Sequence, residues 1–208
     1  MVEITEATSI EELAVIISGA LEAEGIIATL SGGGAVSIYS QNQYMSHDLD
    51  FVTSADPKRL IKAIAPLGFF QGASKRLYEH PRTQWLVEFP AGPLSFGQRY
   101  VDHRSINLLT TQYGALRVIT PTLCVIDRLS AYLHWRDRQS WEQAIMVCKS
   151  NPIDWNDIAD WAINEQPRFN ELEQLRAECE NATDDEDDGI TAMDVGSLTK
   201  RSVPSSVH

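Results

Sequence analysis

The stretch LSGGGAVSIYSQNQYMSHDLDFV, residues 30–52, opens on three consecutive glycines and closes on two aspartates separated by a leucine. Just before it, residues 26–30 form a β-branched and apolar run suited to a buried strand that enters the glycines directly. AVSIYSQ after the glycines reads as a short helix, and residues 49–52 read as a second strand. Side chains alternate faces along a strand, so Asp48 and Asp50 project to one side while Leu49 and Phe51 project toward a core. Two carboxylates that close repel each other, and something positive or chemical must compensate them. Hard divalent ions such as magnesium answer that need. They take oxygen ligands, keep positions open for phosphate oxygens and water, and bring the offsetting charge.

Glycines between a strand and a helix let the backbone approach a phosphate, and the helix N-terminus offers unpaired N–H groups. Ser31, Gly32, Gly33 and Gly34 are therefore candidates for holding nucleotide phosphates, a structural tight turn being the competing reading. The run is not a Walker loop, since no Gly-Lys-Ser/Thr follows. Nor is it a dinucleotide fingerprint, since Ser37 stands where the third glycine would be.

Alone, an Asp-x-Asp carries little weight. With 14 Asp in 208 residues, about one such pair is expected by chance, and Asp185 and Asp187 form another. The glycine turn supplies the context, because turn and carboxylate pair together are what in-line nucleotidyl transfer requires. A third carboxylate completes such a site. Glu88, in TQWLVEFPAG (residues 83–92), is the candidate, late in a strand where Trp85, Val87 and Phe89 alternate with Leu86 and Glu88. A competing use of His47 and Asp48 as phosphohydrolase metal ligands needs further His or Asp on helices, whereas this pair opens a strand.

The Gly-Gly turn, the short helix, Asp48-Leu49-Asp50-Phe51 and the later acidic strand residue together resemble the polymerase-beta-like nucleotidyltransferase superfamily. Within it, the chain is similar to minimal bacterial toxin-type members of abortive-infection and toxin–antitoxin systems, over roughly residues 10–150. The resemblance implies an α+β fold: a mixed β-sheet nucleotidyltransferase domain with flanking helices, followed by a C-terminal helical region. It implies Mg2+ as cofactor, an NTP substrate, and a hydroxyl acceptor on RNA such as tRNA or on protein. It also implies a toxin or defence role with an antitoxin partner. Asp48, Asp50 and Glu88 take the catalytic and metal-binding positions. Gly32 and Gly33 match the phosphate-cradling pair, with Gly33 and Gly34 serving equally. The alternative is a catalytically inactive binding or antitoxin-like module on the same fold.

At 23.2 kDa and 43% hydrophobic residues, the chain can bury a proper core. No apolar run approaches the roughly 18 residues of a membrane span, and the N-terminus lacks the basic start of a secretory signal. A soluble cytoplasmic protein without membrane contact is expected. Cys124, Cys148 and Cys179 are odd in number and widely spaced, which favours reduced thiols over a disulfide framework or zinc site. The net charge of -12 is uneven: residues 180–194 hold seven acids and no base, whereas residues 51–138 hold 12 Lys and Arg against 6 acids. A polyanionic substrate stays compatible with that distribution.

Further along, 9-SIEE-12 is a capping box opening an amphipathic helix that Gly25 ends, and Asp56-Pro57 opens another helix to about residue 65. Residues 76–78, 84–89, 105–111 and 116–119 read as strands, Gly114 turning a hairpin between the last two. Thr120-Pro121 begins a helical part in four segments. The expected organisation is a nucleotidyltransferase-like region at 1–119, a helical region at 120–180 and a disordered acidic tail at 181–208. Lys58, Arg59 and Lys62 read as a solvated face. Lys75, Arg76 and Arg82 are placed to meet a triphosphate or an RNA backbone. Trp135 and Trp141 are expected to pack between helices, with Asp127 and Arg128 reaching back toward the aspartates.

Overall fold

A computed structural model of the protein describes residues 3–106, 108–165 and 171–187, with side chains described as far as Glu180. The first helix, α1 (Ile10–Ala23), starts where Ser9 Oγ accepts the Glu12 amide at 3.2 Å, and ends before Gly25, whose φ of +64° suits a residue without Cβ. Its inward stripe of Ile10, Leu13, Ala14, Ile17 and Leu21 is almost wholly buried, the 3.6-residue period at work.

Strand β1 (Thr29–Ser31) leads without a loop into α2 (Gly32–Tyr39), so the glycines form the first turn of the helix rather than a connection ahead of it. Then come β2 (Asp48–Val52), α3 (Pro57–Ile64), β3 (Phe70–Gln71), β4 (Leu77–Glu79) and β5 (Leu86–Glu88). These strands make one mixed sheet in the order β1-β2-β5-β4-β3. β2 and β5 run parallel, and every other pairing is antiparallel. Helix α3 begins at Asp56, whose carboxylate accepts the Lys58 amide at 2.8 Å, with proline at the first helical position.

Two small hairpins follow, β6 (Ser95–Phe96) with β7 (Arg99–Tyr100), and β8 (Leu108–Thr111) with β9 (Gly114–Arg117). Asn107, inside the strand expected at 105–111, lies outside the described residues. The expected hairpin is present: it turns at Gln112 and Tyr113, and Gly114 opens β9 with a φ of +138°, open chiefly to glycine. After β9 the chain runs beside β1: Val118 bridges Leu30, and the Ile119 amide donates to the Leu30 carbonyl at 3.0 Å. Tyr39 Oη donates to the Ile119 carbonyl at 2.6 Å. These bonds fix where α4 (Pro121–Trp135), capped by Thr120, leaves the sheet.

The remaining helices are α5 (Arg138–Ser150), α6 (Trp155–Asn164) and α7 (Glu171–Asp187). Helix α7 carries seven residues of the stretch read as a disordered tail; residues 188–208, and residues 169–170 at the start of the fourth expected helical segment, lie outside the described residues. The fold is α+β, with a core shared by the sheet, α1, α2 and the inner faces of α4 and α5. Among the described residues, no helix is long and apolar enough to cross a membrane.

Candidate active site

Alternation along β2 and β5 decides what faces what. Leu49, Phe51 and Val87 are fully buried, so Asp48, Asp50 and Glu88 emerge on the other face of the sheet. The register aligns Asp50 with Ser31 of β1 on one side and Glu88 of β5 on the other. As a result the three carboxylates each offer an oxygen within 4.8 Å of the others. The sequence placed these acids on two strands; the parallel pairing brings them together.

Each glycine of the run has its own neighbour on or just before β2. Gly32 has a φ of +63°, and a Cβ there would collide with the Asp50 carboxylate. At Gly33 a Cβ would meet Ser46 Oγ at 2.6 Å. At Gly34 it would crowd Leu49 at 3.0 Å and Leu30 at 3.2 Å, on the core side. The run lets α2 lie directly against the acidic strand. Gly32 borders the Asp50 carboxylate and Gly33 borders Ser46, whereas Gly34 is a packing residue.

Helix α4 completes the cluster from 95 positions further along the chain. The Gly32 amide donates to Asp127 Oδ2 at 3.0 Å, so the N–H reserved in the sequence reading for a phosphate is held by a carboxylate. Arg128 donates to the same Asp127 oxygen at 2.8 Å and to Gln143 at 3.1 Å. Its Nε is buried without a hydrogen-bond partner among the described residues. Ser31, Gly32, Asp50, Asp127 and Arg128 line a cleft of about 320 Å³ together with the apolar Pro90, Pro93, Leu94 and Phe96. The volume lies within the range of small-ligand pockets.

Asp50 sits where burial and like charge add. Desolvation, then the carboxylates of Asp48, Glu88 and Asp127, push its pKa up to about 7 against the opposing pull of Arg128. The triad fits a divalent cation on chemical grounds. Its donors are all hard oxygens, and their mutual repulsion is what a bound cation would relieve.

Other sequence expectations have mixed outcomes. His47 is exposed, immediately before β2, and is not part of the acidic group formed by Asp48, Asp50 and Glu88. Arg76 donates to the carbonyls of Phe89 (2.8 Å) and Ala55 (3.4 Å), and Arg82 pairs with Glu3; neither lines the cleft. Lys58, Arg59 and Lys62 form the exposed face expected of them, with Arg59 donating to the Glu24 carbonyl at 2.8 Å and Lys62 to the Glu24 carboxylate at 2.6 Å. Much of the basic excess is thus structural. Trp141 packs on Tyr132 with ring centroids 5.1 Å apart, but Trp135, last in α4 and next to the left-handed Arg136, is 83% exposed. Ser46, described below, escaped the sequence reading although it lies two residues before Asp48.

No protein-family model and no curated protein matches the sequence. Among solved structures, an antigenic nucleotidyltransferase-like protein from Paracoccidioides brasiliensis is 16% identical. The alignment covers 88% of this chain and 91% of that one, with a TM-score of 0.54. The antibiotic-resistance factor ANT(2'')-Ia in solution is 13% identical over 88% of this chain and 97% of its own, at a TM-score of 0.47. ANT(2'')-Ia in complex with adenylyl-2''-tobramycin is 14% identical over 84% and 99%, at 0.46. On the first of these likenesses, the protein shares the α+β fold of a nucleotidyltransferase-like protein.

Proposed function

We propose that the protein is a magnesium-dependent nucleotidyltransferase that moves a nucleoside monophosphate from an NTP to a hydroxyl acceptor. The observation that carries the reading is the triad of Asp48, Asp50 and Glu88, gathered against a glycine-led helix and beside a cleft. Asp48 and Asp50 hold the cation, with Glu88 as third ligand. When bound, the cation supplies charge neutralisation for the triphosphate and acidifies the attacking hydroxyl. Glu88 takes the acceptor's proton. The acceptor oxygen forms a bond to the α-phosphorus, the α–β bridging bond breaks, and pyrophosphate leaves.

Ser31 and Gly32 border the cleft that receives the phosphates, and Gly33 follows them in the first turn of α2. Arg128 lines the same cleft and brings a guanidinium charge to a bound phosphate. The resemblance of the glycine and Asp-Leu-Asp stretches to toxin-type proteins supports an RNA end such as that of tRNA, or a protein hydroxyl, as acceptor. It also supports a cytoplasmic toxin role with an antitoxin partner.

The second reading, a non-catalytic module, is favoured by one observation: Asp127 occupies the Gly32 amide. Incubation with Mg2+, labelled NTPs and total RNA or lysate separates the two. The enzyme transfers label and loses that activity when Asp48 and Asp50 both become Asn. Transfer that survives this double change discards the mechanism, and the absence of any Mg2+-dependent NTP binding supports the module.

A further inference from the structure

The carboxylate of Asp48 is held by a relay that begins in the first turn of α2. Ser37, fully buried, donates its hydroxyl to the Gly33 carbonyl at 3.1 Å. The same Ser37 oxygen accepts the Ser46 amide at 2.8 Å. Ser46, 2% exposed, donates to Asp48 Oδ1 at 2.9 Å, while its oxygen faces the Asp48 amide at 3.4 Å. A hydroxyl has one proton to give, and that of Ser46 goes to a candidate metal ligand rather than to the backbone. The second oxygen of Asp48 has no hydrogen bond among the described residues. Gly33 belongs to the same device, because a Cβ there would meet Ser46 Oγ at 2.6 Å.

We propose that Ser46 is a positioning residue for metal binding: its hydroxyl fixes the rotation of the Asp48 carboxylate, committing one oxygen and leaving the other for the cation. The inference rests on the metal reading of the triad. A serine serving only the turn would spend its proton on a backbone carbonyl, as Ser37 does. Partners of this kind orient a ligand before the cation arrives, and their loss weakens metal binding about 10- to 100-fold.

The test measures Mn2+ affinity by water-proton relaxation, with no nucleotide present, alongside the melting temperature of the metal-free protein. Ser46→Ala is expected to bind Mn2+ at least about tenfold more weakly, and Ser46→Thr, which keeps the hydroxyl, to restore the affinity. Should Ser46→Ala not fold, Ser46→Cys keeps the volume with a weaker donor and is expected to lose affinity in the same sense. A folded Ala or Cys variant that binds Mn2+ like the parent overturns the inference while leaving the metal reading intact. A parent protein that binds no Mn2+ overturns both.

Discussion

Asp50 and Glu88 stand opposite each other in the parallel β2–β5 pair, an acidic couple in direct register, with Asp48 two residues back on the same face. Opposed like charges weaken a sheet pair, so the metal-free protein carries a local instability at its most chemically useful point.

That instability has a measurable sign. The Asp50 carboxyl rises from 3.8 to about 7 on folding. Below pH 4 both states hold the proton and nothing is lost. As pH climbs from 4 to 7 the unfolded chain ionises first, so folding stability declines, and the full penalty is present above 7. Asp50→Asn mimics the protonated form. It is expected to stabilise the metal-free protein at pH 8 by about 2–4 kcal/mol and to change little at pH 4. Thermal unfolding at the two pH values measures the difference; equal effects at both would contradict the assignment.

The same group couples metal binding to protons. A cation that binds the ionised triad must expel the proton Asp50 holds below pH 7, so Mn2+ affinity is expected to fall as pH drops below that value, by up to about tenfold per unit. Calorimetry in buffers of different ionisation enthalpy counts the released proton. A flat profile between pH 5.5 and 8 argues against Asp50 as a ligand.

Arg128 opposes the rise of the Asp50 pKa and pairs with Asp127. Arg128→Ala is therefore expected to move the midpoint of the Mn2+ pH profile to higher pH and to weaken NTP binding. Titration with a non-hydrolysable NTP across pH reads both; an unchanged midpoint denies the electrostatic link.

Two glycines make a matched pair. Gly32→Ala forces a left-handed residue and drives a methyl into the Asp50 carboxylate, costing more than about 1 kcal/mol along with Mn2+ affinity. Gly19, inside α1, has nothing within 4 Å of its added Cβ, so Gly19→Ala is expected to stabilise the protein by about 0.5–1 kcal/mol. Chemical denaturation ranks the two, and the reverse order would refute the packing account of Gly32.

What the sequence disclosed follows from range. Asp48 and Asp50 declare a shared face because strand alternation is local, and Thr120-Pro121 declares the start of a helix for the same reason. The glycines show the same limit. Their position after a strand was visible, but their individual contacts with Asp50, Ser46 and Leu49 depend on how α2 lies on β2. The bond from Gly32 to Asp127 spans 95 positions, and no local pattern announces it. The two-residue strands β3, β6 and β7 are too short to show a period. Trp135 failed because helical spacing places it beside packed residues while its end position turns it outward.

The stretch of chain beside β1 has a consequence for association. The bridge from Val118 to Leu30 and the bond from Ile119 occupy that border of the sheet with the protein's own backbone, and the opposite border is only the two residues of β3. Among the described residues, a visiting polypeptide thus finds no long run of vacant main-chain groups with which to extend the five-stranded sheet. A macromolecule that recognises this face of the protein must read side-chain relief instead of grafting a strand onto the five-stranded sheet.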